Sequence, residues 1–196
     1  MFRYFAIHKP FGMLSQFTRD GNNESLSDLN YEFPKDAYPI GRLDSDSEGL
    51  LLLSNDGSIN KSLLDPEHGH WRSYLVQVEG SINEEACQLI RAGIIVNING
   101  KPYKSIPCKA KPAPVPTNIA ERVPPVRFRK NIPTSWMLIE MREGKNRQVR
   151  KMTAAAGFPT LRLMRVGIEG ILLGDMKSGD VIEFEKADFL GKLKLN

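Results

Sequence analysis

The chain has 196 residues, 41% hydrophobic and 26% charged, with a net charge of +4 at pH 7. That length supports one sizeable domain or two small halves sharing a core. No stretch approaches the ~20 apolar residues of a membrane span. The apolar start MFRYFAI is broken by His8-Lys9-Pro10 too early for a signal peptide, and two distant cysteines, Cys87 and Cys108, exclude a disulfide framework or a C-x-x-C site.

In chain order, Tyr4 to His8 reads as a strand stopped by the turn Lys9-Pro10-Phe11-Gly12. Leu50 to Ser54 is a short apolar run between Gly49 and Asn55-Asp56-Gly57, the pattern of a strand buried on both faces. Ser73 to Glu79 alternates, with Tyr74, Val76 and Val78 on one face. Asn83 to Ala92 has helical spacing and stops at Gly93. Residues 101–133 hold 8 of the 13 prolines and read as an irregular excursion or short edge strands. Trp136 to Met141 resumes as a strand. Asn146 to Ala156 reads as a helix ending at Gly157, and strands recur at Leu161–Val166 and Asp180–Phe184. Strands and helices intersperse without regular βαβ spacing, which predicts an α+β fold with a mixed, largely antiparallel sheet flanked by helices.

Charge is unevenly spread. Between Lys101 and Lys151 there are 13 basic residues against 3 acidic ones, a net of +10, while the remainder has 14 against 20, a net of −6. A single-sign block inside a mixed chain points to a polyanionic partner, nucleic acid above all, rather than to a merely solvated patch.

The stretch Gly41 to Gly57, GRLDSDSEGLLLLSNDG, concentrates three carboxylates at every second position: Asp44, Asp46 and Glu48. Asp44-x-Asp46-x-Glu48-Gly49 matches the first half of a calcium loop, but the twelfth position is Asn55 and the second half is apolar. A glycosidase-like pair needs two carboxylates about 5–10 Å apart, and nothing singles out one of these three as the acid. A single working carboxylate fits Gly41 and Gly49, which let the backbone approach a ligand, and the leucines that tie the loop to a core. On spacing alone, an acidic turn capping a strand or helix is the simplest account.

Four blocks in order change that balance: HKPFGMLSQF, GRLDSDSEGLLLLSNDG, SYLVQVEG, and EGKNRQVRKM followed by LRLMRVGI. Together they resemble the motif set of the pseudouridine synthases, in the branch that modifies bacterial ribosomal RNA, over nearly the whole chain. PPVRFRKNIPTSW, running into EGKNRQVRKM, is especially similar to a member acting on the large subunit. The resemblance implies the pseudouridine synthase fold, with two sub-domains around an RNA-binding cleft, formed by one catalytic domain over residues 1–196. Many members of the branch carry an N-terminal S4 RNA-binding domain. Here the catalytic motifs start almost at residue 1. The basic segment Lys101–Lys151, with its proline-rich excursion at 101–133, is therefore expected to carry more of the RNA grip.

Residue by residue, the resemblance puts Asp44 on the essential aspartate and Arg42 on the arginine that helps to hold the flipped nucleotide. It puts Tyr74 on the tyrosine that packs against the base, and Arg150 on the basic partner of the aspartate. Asp46 and Glu48 receive no role. The implied reaction breaks the N1–C1′ bond of a uridine, turns the uracil and rejoins it through C5. It needs an acid kept ionised by a nearby guanidinium and no metal or organic cofactor.

Arg147, Arg150 and Lys151 stand at i, i+3 and i+4 and predict one cationic helix face, with Val149, Met152 and Ala156 opposite. Lys145 and Asn146 sit at the entry. Arg127, Arg129 and Lys130 are expected to widen the phosphate track, while Phe128 between them fits a core position equally well. His68 and His70 read as loop-surface residues rather than metal ligands. The expected partner is 23S ribosomal RNA or a pre-ribosomal particle, met by a cytoplasmic monomer without membrane contact. The rival from another class, a non-catalytic RNA-binding or ribosome-assembly protein, has no chemical need for Asp44, Tyr74 and Arg150 together.

Overall fold

A computed structural model describes residues 1–65, 67–127 and 129–195. Phe128 therefore lies outside the described residues. The chain divides into two compact units, Trp71–Met164 and the segments before and after it. The architecture is α+β, with four α-helices among the described residues. None of these helices is long and apolar enough to cross a membrane.

The first unit opens with β1 (Tyr4–Lys9), all six residues of which are buried. The short strand β2 (Tyr38–Pro39) and the wholly buried β3 (Glu48–Ser54) come next, then helix α1 (Gly57–Leu64). β3 lies antiparallel to β1, with Tyr4 opposite Ser54 and Lys9 opposite Gly49, and also pairs with β2. Burial on both faces, expected from the apolar run, is what the packing gives. Leu51 and Leu53 join Phe5, Ile7, Met13, Leu26, Leu29 and Leu43 on one side. Leu50 and Leu52 point the other way and are equally inaccessible. Each leucine at this depth contributes roughly 2 kcal/mol. The Asn55-Asp56-Gly57 signal does more than end β3: Asp56 caps α1 by accepting from the Ser58 amide, and takes the Tyr4 hydroxyl at 3.0 Å.

The second unit carries β4 (Arg72–Glu79), helix α2 (Glu84–Ala92), β5 (Ile95–Ile98), β6 (Lys101–Lys104), β7 (Lys109–Ala113), β8 (Thr134–Met141) and helix α3 (Gln148–Ala155). β8 pairs antiparallel with β4 on one side and with β7 on the other. The alternation in β4 puts Tyr74, Val76 and Val78 into one core with Met137, Ile139, Met141, Val149 and Met152. Cys87 and Cys108 are free and buried there, and burial pushes the Cys108 thiol up to about 11.

The proline-rich stretch is less irregular than its composition implies. β5 and β6 form a hairpin through Asn99-Gly100, both at positive φ, as a primed turn requires. Pro102 and Pro112 sit in edge strands, where a missing amide donor costs least.

β9 (Thr160–Ile168) carries the chain from the second unit back into the first. There β10 (Ile171–Leu172) pairs with it, β11 (Val181–Phe184) pairs with β1, and α4 (Lys186–Leu193) stacks Phe189 on Tyr4 at 5.1 Å. The expectations from sequence omit α1, α4, β2, the β5–β6 hairpin and β10.

Two glycines at positive φ separate backbone strain from collision. A Cβ at Gly93 would stand 2.3 Å from the Ser105 carbonyl oxygen, whereas one at Gly100 meets nothing within 4 Å. Gly93→Ala should cost about 3 kcal/mol or more, and Gly100→Ala about 1 kcal/mol, the left-handed penalty alone. Urea unfolding midpoints of the two variants check this; equal losses would show that the collision is relieved without cost.

Candidate active site

The acidic stretch is a tight loop between β2 and β3. The Ser47 amide donates to the Asp44 carbonyl at 3.0 Å, closing a turn, and the Ile40 amide donates to Leu52. Gly41 has φ +73 where the chain passes Leu64: a Cβ there would lie 2.9 Å from a leucine methyl. The loop is gripped from outside by the segment after β1. The Leu43 amide donates to Ser15 Oγ at 3.0 Å, and Ser15 Oγ donates back to the Leu43 carbonyl at 2.8 Å. The Gly12 amide donates to the Ser45 carbonyl at 2.8 Å. HKPFGMLS and GRLDSDSE are thus one structural piece. Asp44 and Asp46 are half-buried, Glu48 is buried and Arg42 is exposed.

The charge that organises this piece is Lys9, which its place in the sequence marks only as part of a turn. It is buried to 0% exposure. Its ammonium donates to the Met13 carbonyl at 2.7 Å and the Pro10 carbonyl at 2.9 Å, and lies 3.5 Å from the Ser45 carbonyl. Burial lowers its pKa to about 8, while Glu48, Asp46 and Asp44 oppose that shift and Arg165 adds to it. So the three carboxylates share an interior cation. No motif of spacing signals this, because the lysine is over 30 residues away in sequence.

In the second unit, Tyr74 stands opposite Ile139, its ring packed into the unit's core at 8% exposure. Arg150 and Lys151 are half-buried on α3, whose buried side is Gln148, Val149, Met152 and Thr153. One expectation needs correcting. The helix begins at Gln148, not Asn146, because Arg147 adopts φ 51, ψ 31 in the left-handed region. Arg147 is therefore not on a helical face with Arg150 and Lys151; it forms, with Lys145 and Asn146, an exposed tip before the helix.

That tip is braced by two residues to which the sequence motifs give no role. Glu143 accepts from the Tyr103 hydroxyl at 2.5 Å, from the Ile106 amide at 2.9 Å and from Gln148 Nε2. Gln148 Oε1 accepts from the Lys145 amide at 2.9 Å, and the Lys145 ammonium lies 4.5 Å over the Tyr103 ring. The Glu143 hydrogen bond, with burial, pushes the Tyr103 phenol up to about 12.

Arg127, Arg129 and Lys130 are exposed, and Arg129 binds both oxygens of Glu79 at 3.0 and 3.2 Å. Glu79 points away from the core face on which α3 packs, so Arg129 and the tip of α3 start from opposite faces of the β4–β8 ladder. The loop histidines also differ from expectation. His68 is exposed, but His70 is buried, donating through Nε2 to the Ser62 carbonyl with Nδ1 3.5 Å from Glu169. Asp44 and Arg42 thus belong to the first unit, and Tyr74, Arg150 and the remaining cations to the second.

The chain resembles known proteins in sequence and in fold. A family model described as RNA pseudouridylate synthase matches residues 3–155, a span that includes Asp44, Tyr74 and Arg150. The chain is 45% identical over 183 residues to ribosomal large subunit pseudouridine synthase E of Vibrio parahaemolyticus, covering 93% of this chain and 74% of that protein. It is 44% identical to the protein of the same name from Xanthomonas axonopodis pv. citri, with 83% of each covered. Among solved structures, a pseudouridylate synthase crystal structure superposes with a TM-score of 0.76 at 21% identity, over 98% of this chain and 74% of that one. At that identity the superposition speaks for the fold alone.

Lys9 gives a pH signature. Its folded pKa of about 8 lies below the ordinary 10.5, so between those values the unfolded chain binds the extra proton and stability rises with pH. Relative to Lys9→Met, the wild type should gain about 2 kcal/mol from pH 7.5 to pH 10. Urea unfolding of both proteins at the two pH values checks this. A difference that stays flat would mean that Lys9 keeps its ordinary pKa.

Proposed function

Because the chain belongs to the RNA pseudouridylate synthase family, we propose that its substrate is a uridine of 23S ribosomal RNA and that Asp44 is its working carboxylate. The protein is an isomerase that converts uridine to pseudouridine in ribosomal RNA. The large-subunit assignment is carried by one observation: 45% identity over 93% of the chain to a relative named for large-subunit modification.

The reaction cleaves the N1–C1′ bond, forms a C5–C1′ bond, removes the proton from C5 and returns one to N1. Asp44 is half-buried in a loop fixed at both ends and shares the neighbourhood of a buried ammonium. A nucleophile or base acts here as the carboxylate, and the loop holds it in place for that step. Arg150 is assigned as its guanidinium partner and Tyr74 as the flat face against the displaced uracil. The target base leaves its stack at a cost of a few kcal/mol, which phosphate contacts from Lys145, Arg147 and Lys151 help to offset.

Asp46 and Glu48 act on Lys9 and the loop rather than on the substrate. Asp44→Asn should therefore abolish product while leaving fold and RNA affinity, and Asp46→Asn should keep most of the rate. Mapping pseudouridines in ribosomal RNA from a deletion strain should show one 23S site lost. Wild type should restore it and Asp44→Asn should not. A lost site in the small-subunit RNA, or restoration by the Asn variant, would refute the assignment.

The cations divide by role. Arg147→Ala and Lys151→Ala should weaken binding and flatten its salt dependence by about one contact each, a slope change of about 0.7 on single-stranded RNA. The rate on saturating RNA should hold. Arg150→Ala should lower the single-turnover rate even at saturation. A pure binding defect in Arg150→Ala would make it another phosphate contact.

A further inference from the structure

The face of the β4–β8–β7 ladder that points away from the core carries a cluster to which neither the family motifs nor the basic helix led. β4 and β8 are in register from Arg72 opposite Met141 to Glu79 opposite Thr134. One step beyond that rung stand Trp71 and Arg142, on the same side as Ser73 and Glu140. β7 adds Lys109 directly opposite Glu140, and Lys111 opposite Leu138. The core residues Tyr74, Ile139, Met141 and Ala110 occupy the other side.

On the outward side, two cations converge on one ring. The Lys109 ammonium lies 4.6 Å from the centroid of the Trp71 indole, and the Arg142 guanidinium carbon lies 4.7 Å from it. Whichever side of the indole each occupies, the two charges lie within roughly 9 Å of one another, about one Debye length at physiological ionic strength. Their repulsion is therefore incompletely screened, and the ring's attraction for each, about 0.5–1 kcal/mol at an exposed site, helps to hold them there. Glu140 compensates only in part: its carboxylate is 3.8 Å from the Lys109 ammonium, longer than a hydrogen bond. The Lys109 side chain is 63% exposed and Arg142 is exposed, so both keep donors directed at solvent. Lys111 continues the positive edge two residues along.

We propose that Trp71, Lys109 and Arg142 form a phosphate clamp for the RNA backbone, on the face of the second unit opposite to Tyr74. The inference rests on the reading of the chain as an enzyme of ribosomal RNA. Backbone phosphates paired with the two cations, one to each, relieve the repulsion that the indole otherwise has to hold. Phosphate is favoured over an acidic protein segment because the patch presents two point charges about a single half-buried ring rather than a broad apolar area for a protein to cover. The clamp positions RNA and does not touch the reacting uridine, so it acts on affinity rather than on the chemical rate.

The test uses the full chain and protein-free 23S ribosomal RNA transcribed in vitro. The double variant Lys109→Gln with Arg142→Gln should bind about tenfold more weakly. The slope of log K against log salt should fall by about 1.4 to 1.8, the value of two phosphate contacts. Its single-turnover rate on saturating RNA should match that of the wild type. Trp71→Phe, which keeps a ring, should lose little; Trp71→Leu, which keeps bulk without a ring, should approach the double variant. If Trp71→Leu does not fold, the glutamine pair still decides, because it alters only exposed chain ends. Wild-type affinity and slope in the double variant would overturn the clamp. So would unchanged binding to the transcript with lost binding to large-subunit particles, which would make the patch a protein contact. A wild type that neither binds the transcript nor forms pseudouridine would instead overturn the underlying reading of function.

Discussion

The first unit is organised around a positive charge that has been taken wholly out of water. An isolated ammonium at the depth of Lys9 would be driven to neutrality. Here three carbonyl oxygens and three carboxylates stand around it. That demand explains the placement of the residues nearby. It draws the GRLDSDSE loop onto the end of β1, keeps Glu48 buried as the first residue of β3, and leaves Asp44 half-buried. The carboxylate assigned to the chemistry is thus one of three that share one interior counter-charge.

The second unit depends on a different constraint, the period of two in a strand. β4 sends Tyr74, Val76 and Val78 inward and Ser73, Leu75, Gln77 and Glu79 outward. The inward face meets α3 and carries the proposed chemistry; the outward face carries Arg129 on Glu79 at one end and the indole with its two cations at the other. A one-residue slip of β8 would exchange these faces. The eight-rung ladder between β4 and β8 therefore fixes both the core and the distribution of charge.

Much of this was legible in the sequence, for reasons that vary by element. β1, β3, β4 and β8 announce themselves through apolar runs or strict alternation, and α2 through Asn83 at its start and Gly93 at its stop. The β5–β6 hairpin had a clear marker in Asn99-Gly100, obscured by the prolines around it. The start of α3 was misplaced because nothing in the composition of Lys145-Asn146-Arg147 marks a left-handed arginine. The roles of Lys9, Glu143 and Gln148 were not legible at all. Each is set by partners brought in from other elements, and a polar residue's burial depends on those partners rather than on its neighbours in the chain. Trp71 was silent for the same reason: its two cations come from β7 and from the end of β8.

The left-handed backbone at Arg147 has a bearing on how this protein would respond to laboratory evolution. Glycine or asparagine would adopt φ 51 more readily than arginine, by about 1 kcal/mol. A selection for heat resistance alone would therefore favour replacing Arg147, and the winning clones would carry one cation fewer at the tip of α3. Thermostability and RNA grip pull in opposite directions at this position.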